Sequence, residues 1–302
     1  MTRRALLALG VTVVVTGGLL AVAQAETQGP TRSVAVTTPD GVRISAQEWG
    51  NSQGPEILLI HGFSQSHLSW LRQVRSDLAR EFRMVTYDAR GHGYSDKPAA
   101  PEYYKDARRW ADEVQAVIDQ VGLRKPVLVG WSYGGRIIND YLLNHGSGRI
   151  AGINFVAATA KSDPALFGPG LRFLRPMSQG DLATNIEATV GFLKACTAKP
   201  LPREEFEMML AFNMLTPPVV RGHMGGRPAP YEEMLKSLRV PVLVTHGTED
   251  QLVLVGMGRY TAATVPGAKL SVYDGIGHAP FWEDAARFNR ELAEFVRVAH
   301  GR

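Results

Sequence analysis

A series of short apolar runs sets the first limit on what this chain can fold into. They cover residues 57–60, 83–87, 126–129, 150–157, 241–245 and 269–273. A strand with one wet face alternates polar and apolar residues. A largely apolar run suits a strand covered on both faces, as in a parallel sheet flanked by helices. Two earlier β-rich runs, 33–38 and 42–49, flank Pro39-Asp40-Gly41, and that glycine-containing turn predicts a hairpin. Between the runs the period changes. Trp110, Val114, Val117, Ile118 and Val121 recur at spacings of three and four, which is one apolar helix face, and Gly122 supplies a stop. Residues 137–143 and 288–296 read as helices too. Strands alternating with helices predict an α/β fold with a mostly parallel, doubly wound sheet, opened by an antiparallel hairpin.

Residues 159–238 break the rhythm. They offer helical patterns and Pro/Gly breaks but no strand, and hold Met177, Met208, Met209, Met214, Met224 and Met234. This stretch is expected to be a helical cap inserted in a core made of 26–158 and 239–302. Met side chains there either pack the cap helices or form an adaptable apolar wall.

The first 25 residues differ from the rest. Arg3 and Arg4 precede an uncharged run, 5–23, and Ala23-Gln24-Ala25 follows. This is the layout of a bacterial secretory signal cut between Ala25 and Glu26. It predicts an exported protein, periplasmic or extracellular, with no integral membrane role after cleavage. An uncut run would instead be a membrane anchor. The formal net charge is +4, and Arg3 and Arg4 supply two of those charges. No basic cluster marks a phosphate-binding surface, so nucleic acid is not an expected partner. Cys196 is the only cysteine, so no internal disulfide is available. It is read as a small buried apolar residue.

Gly130-Trp131-Ser132-Tyr133-Gly134 lies between a strand pattern and a helix pattern. A sharp turn there needs glycines where side chains would collide, and it presents the Ser132 hydroxyl at the carboxyl edge of the sheet. The helix start beneath favours developing negative charge. A serine nucleophile needs a base. His278 follows the last strand run in Gly275-Ile276-Gly277-His278, at the same sheet edge. His92 is its rival. His61 is expected to be structural and His246 to be packing. His67, His145, His223 and His300 have no favourable placement. The acid that orients the base is expected in Gly247-Thr248-Glu249-Asp250, with Asp250 preferred to Glu249 and Asp163 as competitor. The oxyanion hole needs two backbone N–H donors; Tyr133 and Phe63 are the candidates. Trp131 and Phe281 are expected to bind substrate, and Trp282 to line the pocket or join the core.

His61-Gly62-Phe63, the run from Asp88 to Ser95, the Ser132 turn, the Asp250 turn and Gly277-His278 occur in an order that resembles the α/β-hydrolase superfamily. The resemblance is to its capped branch of esterases, C–C bond hydrolases and cofactor-free haloperoxidases. It spans residues 33–298, with the cap loosely matched. It implies that Asp88 and Arg90 shape a loop, and that Ser132 excludes the aspartyl chemistry of haloalkane dehalogenases and epoxide hydrolases. The expected function is hydrolysis of an ester or related acyl bond, in a small substrate with an apolar portion, through an acyl-serine. No metal or organic cofactor is expected. The alternatives are a perhydrolase or haloperoxidase-type activity, and a slow-turnover ligand receptor with an intact triad.

Overall fold

The computed structural model describes residues 29–301, so the signal reading of residues 1–25 lies outside the described residues. All eight expected strands form: β1 (Arg32–Thr37), β2 (Arg43–Gly50), β3 (Glu56–Ile60), β4 (Arg83–Asp88), β5 (Val127–Trp131), β6 (Gly152–Val156), β7 (Val242–Gly247) and β8 (Lys269–Tyr273). They make one sheet in the order β1-β2-β4-β3-β5-β6-β7-β8. β1 and β2 form the predicted hairpin, and β2 runs antiparallel to β4. Every later pairing is parallel. This is the α/β-hydrolase fold.

The absence of alternation in the central runs has its cause in two cores. Along β3, Leu58 and Ile60 face one apolar layer, while Ile57 and Leu59 face the other. Successive side chains point to opposite faces, so a strand between two helix layers must be apolar at every position. On one face lie α1 (Ala107–Val121) and α2 (Tyr133–His145). α1 buries Trp110, Val114, Val117, Ile118 and Val121, is capped by the Asp106 side chain, and stops at Gly122 with φ +79°. A left-handed residue at a helix end favours glycine. The other face is covered by Phe288, Leu292, Phe295 and Val296 of the C-terminal helix, Ala285–Ala299. Truncating a fully buried residue such as Leu58 would cost about 2–5 kcal/mol.

Between β6 and β7 every named element is helical. This inserted segment includes α3 (Leu182–Ala195), α4 (Arg203–Met214) and α5 (Pro218–Met224). Met177, Met209 and Met224 are buried in it. Cys196 is buried as expected, and burial pushes its thiol well above the ordinary range.

Candidate active site

Ser132 joins β5 to α2 with φ 55° and ψ −114°. A serine in this region is strained, and it persists because its surroundings fix it. Its N–H donates to Val156 O on β6 at 2.9 Å. The flanking glycines leave no room for a side chain. A Cβ on Gly130 would lie 2.6 Å from Ile138 Cδ1, and one on Gly134 only 2.3 Å from Ile60 O. At Gly62 it would be 3.3 Å from Ser132 Cβ, so the β3 loop passes directly against the Ser132 turn.

The Asp250 and His278 loops meet at the next sheet edge. Gly247 permits it, since a Cβ there would be 2.2 Å from the carbonyl oxygens of Ile276 and Gly277. Asp250 Oδ2 and His278 Nδ1 stand 2.7 Å apart, and both residues are buried. Asp250 Oδ1 accepts from the N–H groups of Leu252 and Val253 at 2.8 and 2.9 Å. Burial opposes the charge on Asp250, but His278 and His246 beside it hold the carboxyl well below the ordinary range. An ionised Asp250 makes Nδ1 the donor and leaves Nε2 of His278 free to take a proton. The loop is tied to the serine turn: Trp131 Nε1 donates to His278 O at 2.8 Å.

The rivals have other work. Glu249 is exposed, and the Asp163 side chain caps Ala165 N–H at 3.1 Å. His92 Nε2 accepts from Ser64 N–H at 3.1 Å, so its Nδ1 donates to Arg90 O. It braces the loop after β3 as a neutral imidazole, pulled down to about 3 by burial. His61 Nε2 accepts from Ala89 N–H in the same way. Asp88 takes His67 Nδ1 and the N–H groups of His67 and Tyr94. Arg90 is paired with Glu113 and Asp40, each at 2.8 Å. Asp88 and Arg90 therefore shape loops, as expected.

A cavity of about 480 Å³ borders Ser132, Tyr133 and Phe63 together with Phe167, Phe192 and Leu252. The backbone N–H groups of Phe63 and Tyr133 thus belong to two segments that meet at Ser132. Two expectations need correction. Trp131 and Phe281 are not on the cavity wall. They are 4 % and 1 % exposed and pack edge-to-face at 4.9 Å, inside the apolar layer that also contains Phe192 and Leu252. Trp131 shares the strand face of Val127 and Val129, and its indole lies against Gly62 and Phe281. Trp282 also joins that layer, with Nε1 bonded to Glu205.

Two features escaped the sequence reading. His246 Nε2 lies 3.1 Å from Asp250 Oδ2 and 2.7 Å from Val253 O, so it donates to the acid turn rather than merely packing. Its spacing of four from Asp250 was the available signal. Arg227, in the inserted segment, reaches Asp140 at 2.7 Å and the Tyr133 hydroxyl at 3.0 Å. Tyr231 donates to the same Asp140 at 2.6 Å. The segment is thereby latched to α2, the helix that follows Ser132.

Residues 57–291 match the alpha/beta hydrolase family. The chain is 30% identical over 276 residues to a non-heme chloroperoxidase from Kitasatospora aureofaciens, covering 86% of this chain and 98% of that protein. It is 29% identical over 289 residues to a bifunctional esterase/perhydrolase from Acinetobacter calcoaceticus, covering 87% and 99%. Among solved structures, a candidate aryl esterase from Burkholderia cenocepacia superposes with TM-score 0.87 at 36% identity, over 90% of this chain and 100% of that one.

Proposed function

Because the chain belongs to the alpha/beta hydrolase family, a hydrolase, we propose that it cleaves a carboxylic ester or related acyl bond through an acyl-serine, with Ser132, His278 and Asp250 as the triad. The observation that carries this reading is the 2.7 Å contact of His278 with a buried, ionised Asp250, in a loop tethered by Trp131 to the Ser132 turn.

In the mechanism His278 Nε2 takes the Ser132 proton as Oγ attacks the carbonyl carbon. The charge that develops on the carbonyl oxygen is met by the N–H groups of Phe63 and Tyr133, worth about 100-fold to 1000-fold each. His278 then protonates the leaving alcohol as the C–O bond breaks. Water enters, gives a proton to His278 and attacks the acyl carbon. The carboxylic acid leaves, and the proton returns to Ser132. Asp250 stabilises the imidazolium in both halves without taking its proton. The substrate is a small ester with an apolar portion, matched to the aromatic and aliphatic cavity wall.

A series of p-nitrophenyl esters of rising acyl length tests the reading. Turnover that peaks at a chain length the cavity can hold, and that is abolished in Ser132→Ala, is the expected result. Full activity in Ser132→Ala would overturn it.

Similarity to the chloroperoxidase and to the esterase/perhydrolase favours a second reading. Hydrogen peroxide would take the place of water at the acyl-serine and release a peracid. Peroxide-dependent formation of peracetic acid from acetate, lost in Ser132→Ala, is its test.

A further inference from the structure

Among the described residues four arginines are buried, and they divide into two kinds. Arg90 and Arg227 each face a carboxylate, Glu113 and Asp40 for the first and Asp140 for the second. Arg221 and Arg136 do not, and these two border the cavity that holds Ser132.

Arg221 is 2 % exposed. Its Nη1 donates to Met177 O, Asn185 Oδ1 and Thr189 Oγ1, and its Nη2 to Asn213 O at 2.6 Å. Every one of these acceptors is neutral. Burial lowers its pKa to about 10, with no acid nearby to oppose it. Arg136 is 9 % exposed and sits in the first turn of α2, whose N-cap is Ser132. Its Nη2 donates to the carbonyl oxygens of Arg227 and Pro228. Asp140, whose field Arg136 also feels, is already committed to Arg227 and Tyr231. The Nε atoms of Arg136 and Arg221 are buried with no partner among the described residues. Among the described residues the only other charged one bordering the cavity is Arg175, which is exposed, and no carboxylate borders it.

A buried charge is costly unless an opposite charge meets it. Among the described residues a carboxylate pairs with Arg90 and with Arg227, and none forms an ion pair with Arg136 or Arg221. We infer that the substrate supplies the opposite charge: the ester cleaved here carries a second, ionised carboxylate or equivalent oxyanion, held on the cap side of the cavity in the field of Arg136 and Arg221. The substrate is then a dicarboxylate monoester, its acyl chain lying against Phe63, Phe192 and Leu252. Arg175 at the rim draws the anion in. This rests on the acyl-serine reading above.

Two p-nitrophenyl esters of equal chain length separate the claims: the pentanoate, which is neutral, and the hemiglutarate, which ends in a carboxylate. The readout is the ratio of kcat/KM for hemiglutarate over pentanoate, in which general losses of folding or catalysis cancel. The expected ratio is about tenfold or more, and it falls as salt is raised. Arg136→Gln and Arg175→Gln lower it several-fold, while Arg172→Gln, an exposed neighbour off the cavity, leaves it unchanged. Arg221→Gln removes hydrogen bonds inside the inserted segment, so Arg136→Gln decides the matter whether or not that variant folds. Pentanoate turnover with a ratio near one, unmoved by Arg136→Gln, overturns the inference and leaves the acyl-serine reading standing. Failure to cleave either ester overturns the acyl-serine reading. The inference is then decided by calorimetric titration with glutarate and pentanoate: preference for glutarate, lost in Arg136→Gln, supports it, and equal binding overturns it.

Discussion

Asp250 and His278 share one contact, Oδ2 to Nδ1 at 2.7 Å, while the other oxygen of the same carboxylate is fixed by the N–H groups of Leu252 and Val253. The carboxylate is therefore held from both sides, and the imidazole has one tautomer available. Asp250→Asn keeps the shape and removes the charge that selects this tautomer. On the proposed mechanism kcat falls about 10³- to 10⁴-fold, with KM changed little. Steady-state kinetics on a p-nitrophenyl ester, with circular dichroism as a check of folding, measures this. A loss under tenfold would contradict the role given to Asp250.

Ser132 is held at φ 55°. Strain of this kind costs on the order of 1–3 kcal/mol, and glycine adopts such angles freely at a smaller entropic cost. Ser132→Gly is expected to be inactive and yet more stable than the native chain by about 1 kcal/mol. Urea unfolding midpoints decide it.

Arg227 and Asp140 form an ion pair at 2.7 Å with side chains 1 % and 0 % exposed. Burial raises the Asp140 pKa, and the charge and hydrogen bonds of Arg227 oppose that rise. Arg227→Met strands the carboxylate, and a stranded buried charge costs about 3–5 kcal/mol. The double variant Arg227→Met with Asp140→Leu should recover part of that loss. Equal stability of the single variant and the native chain would show that the latch is not needed.

Acid should weaken the protein in a defined window. Burial opposes ionisation of Asp88, but its hydrogen bond and charge contact with His67 outweigh this and lower its pKa from 3.8 to about 2. A depressed carboxylate stabilises the fold above the unfolded value and loses that contribution as pH falls through the folded one. Asp88 accordingly contributes about 2 kcal/mol above pH 4 that disappears toward pH 2. Thermal midpoints from pH 5 to pH 2 should drop less steeply in Asp88→Asn than in the native chain, from a lower starting value.

The strands were legible because a sheet buried on both faces leaves an apolar run with little else to be. The Ser132 turn was legible because its glycines answer to steric contacts that any residue would violate, as the 2.3 Å approach of Gly134 to Ile60 O shows. Trp131 and Phe281 were misplaced because closeness in sequence to Ser132 and His278 says nothing about direction. Period two along β5 puts Trp131 with Val127 and Val129, in the apolar layer it shares with Phe281. The acid-turn role of His246 and the latch formed by Arg227 depend on turns and long-range packing, which local periodicity does not encode. Arg136 and Arg221 stood out only once their partners were known to be neutral.

The proposed mechanism requires that Ser132 become acylated. A fluorophosphonate probe followed by peptide mass mapping tests it most directly, since the probe traps an activated serine at the atom that would carry the acyl group. One adduct is expected, on the peptide containing Ser132, slowed by Asp250→Asn and absent from Ser132→Ala. Stoichiometric labelling of Ser132→Ala, or an adduct on another residue of the native chain, would contradict it.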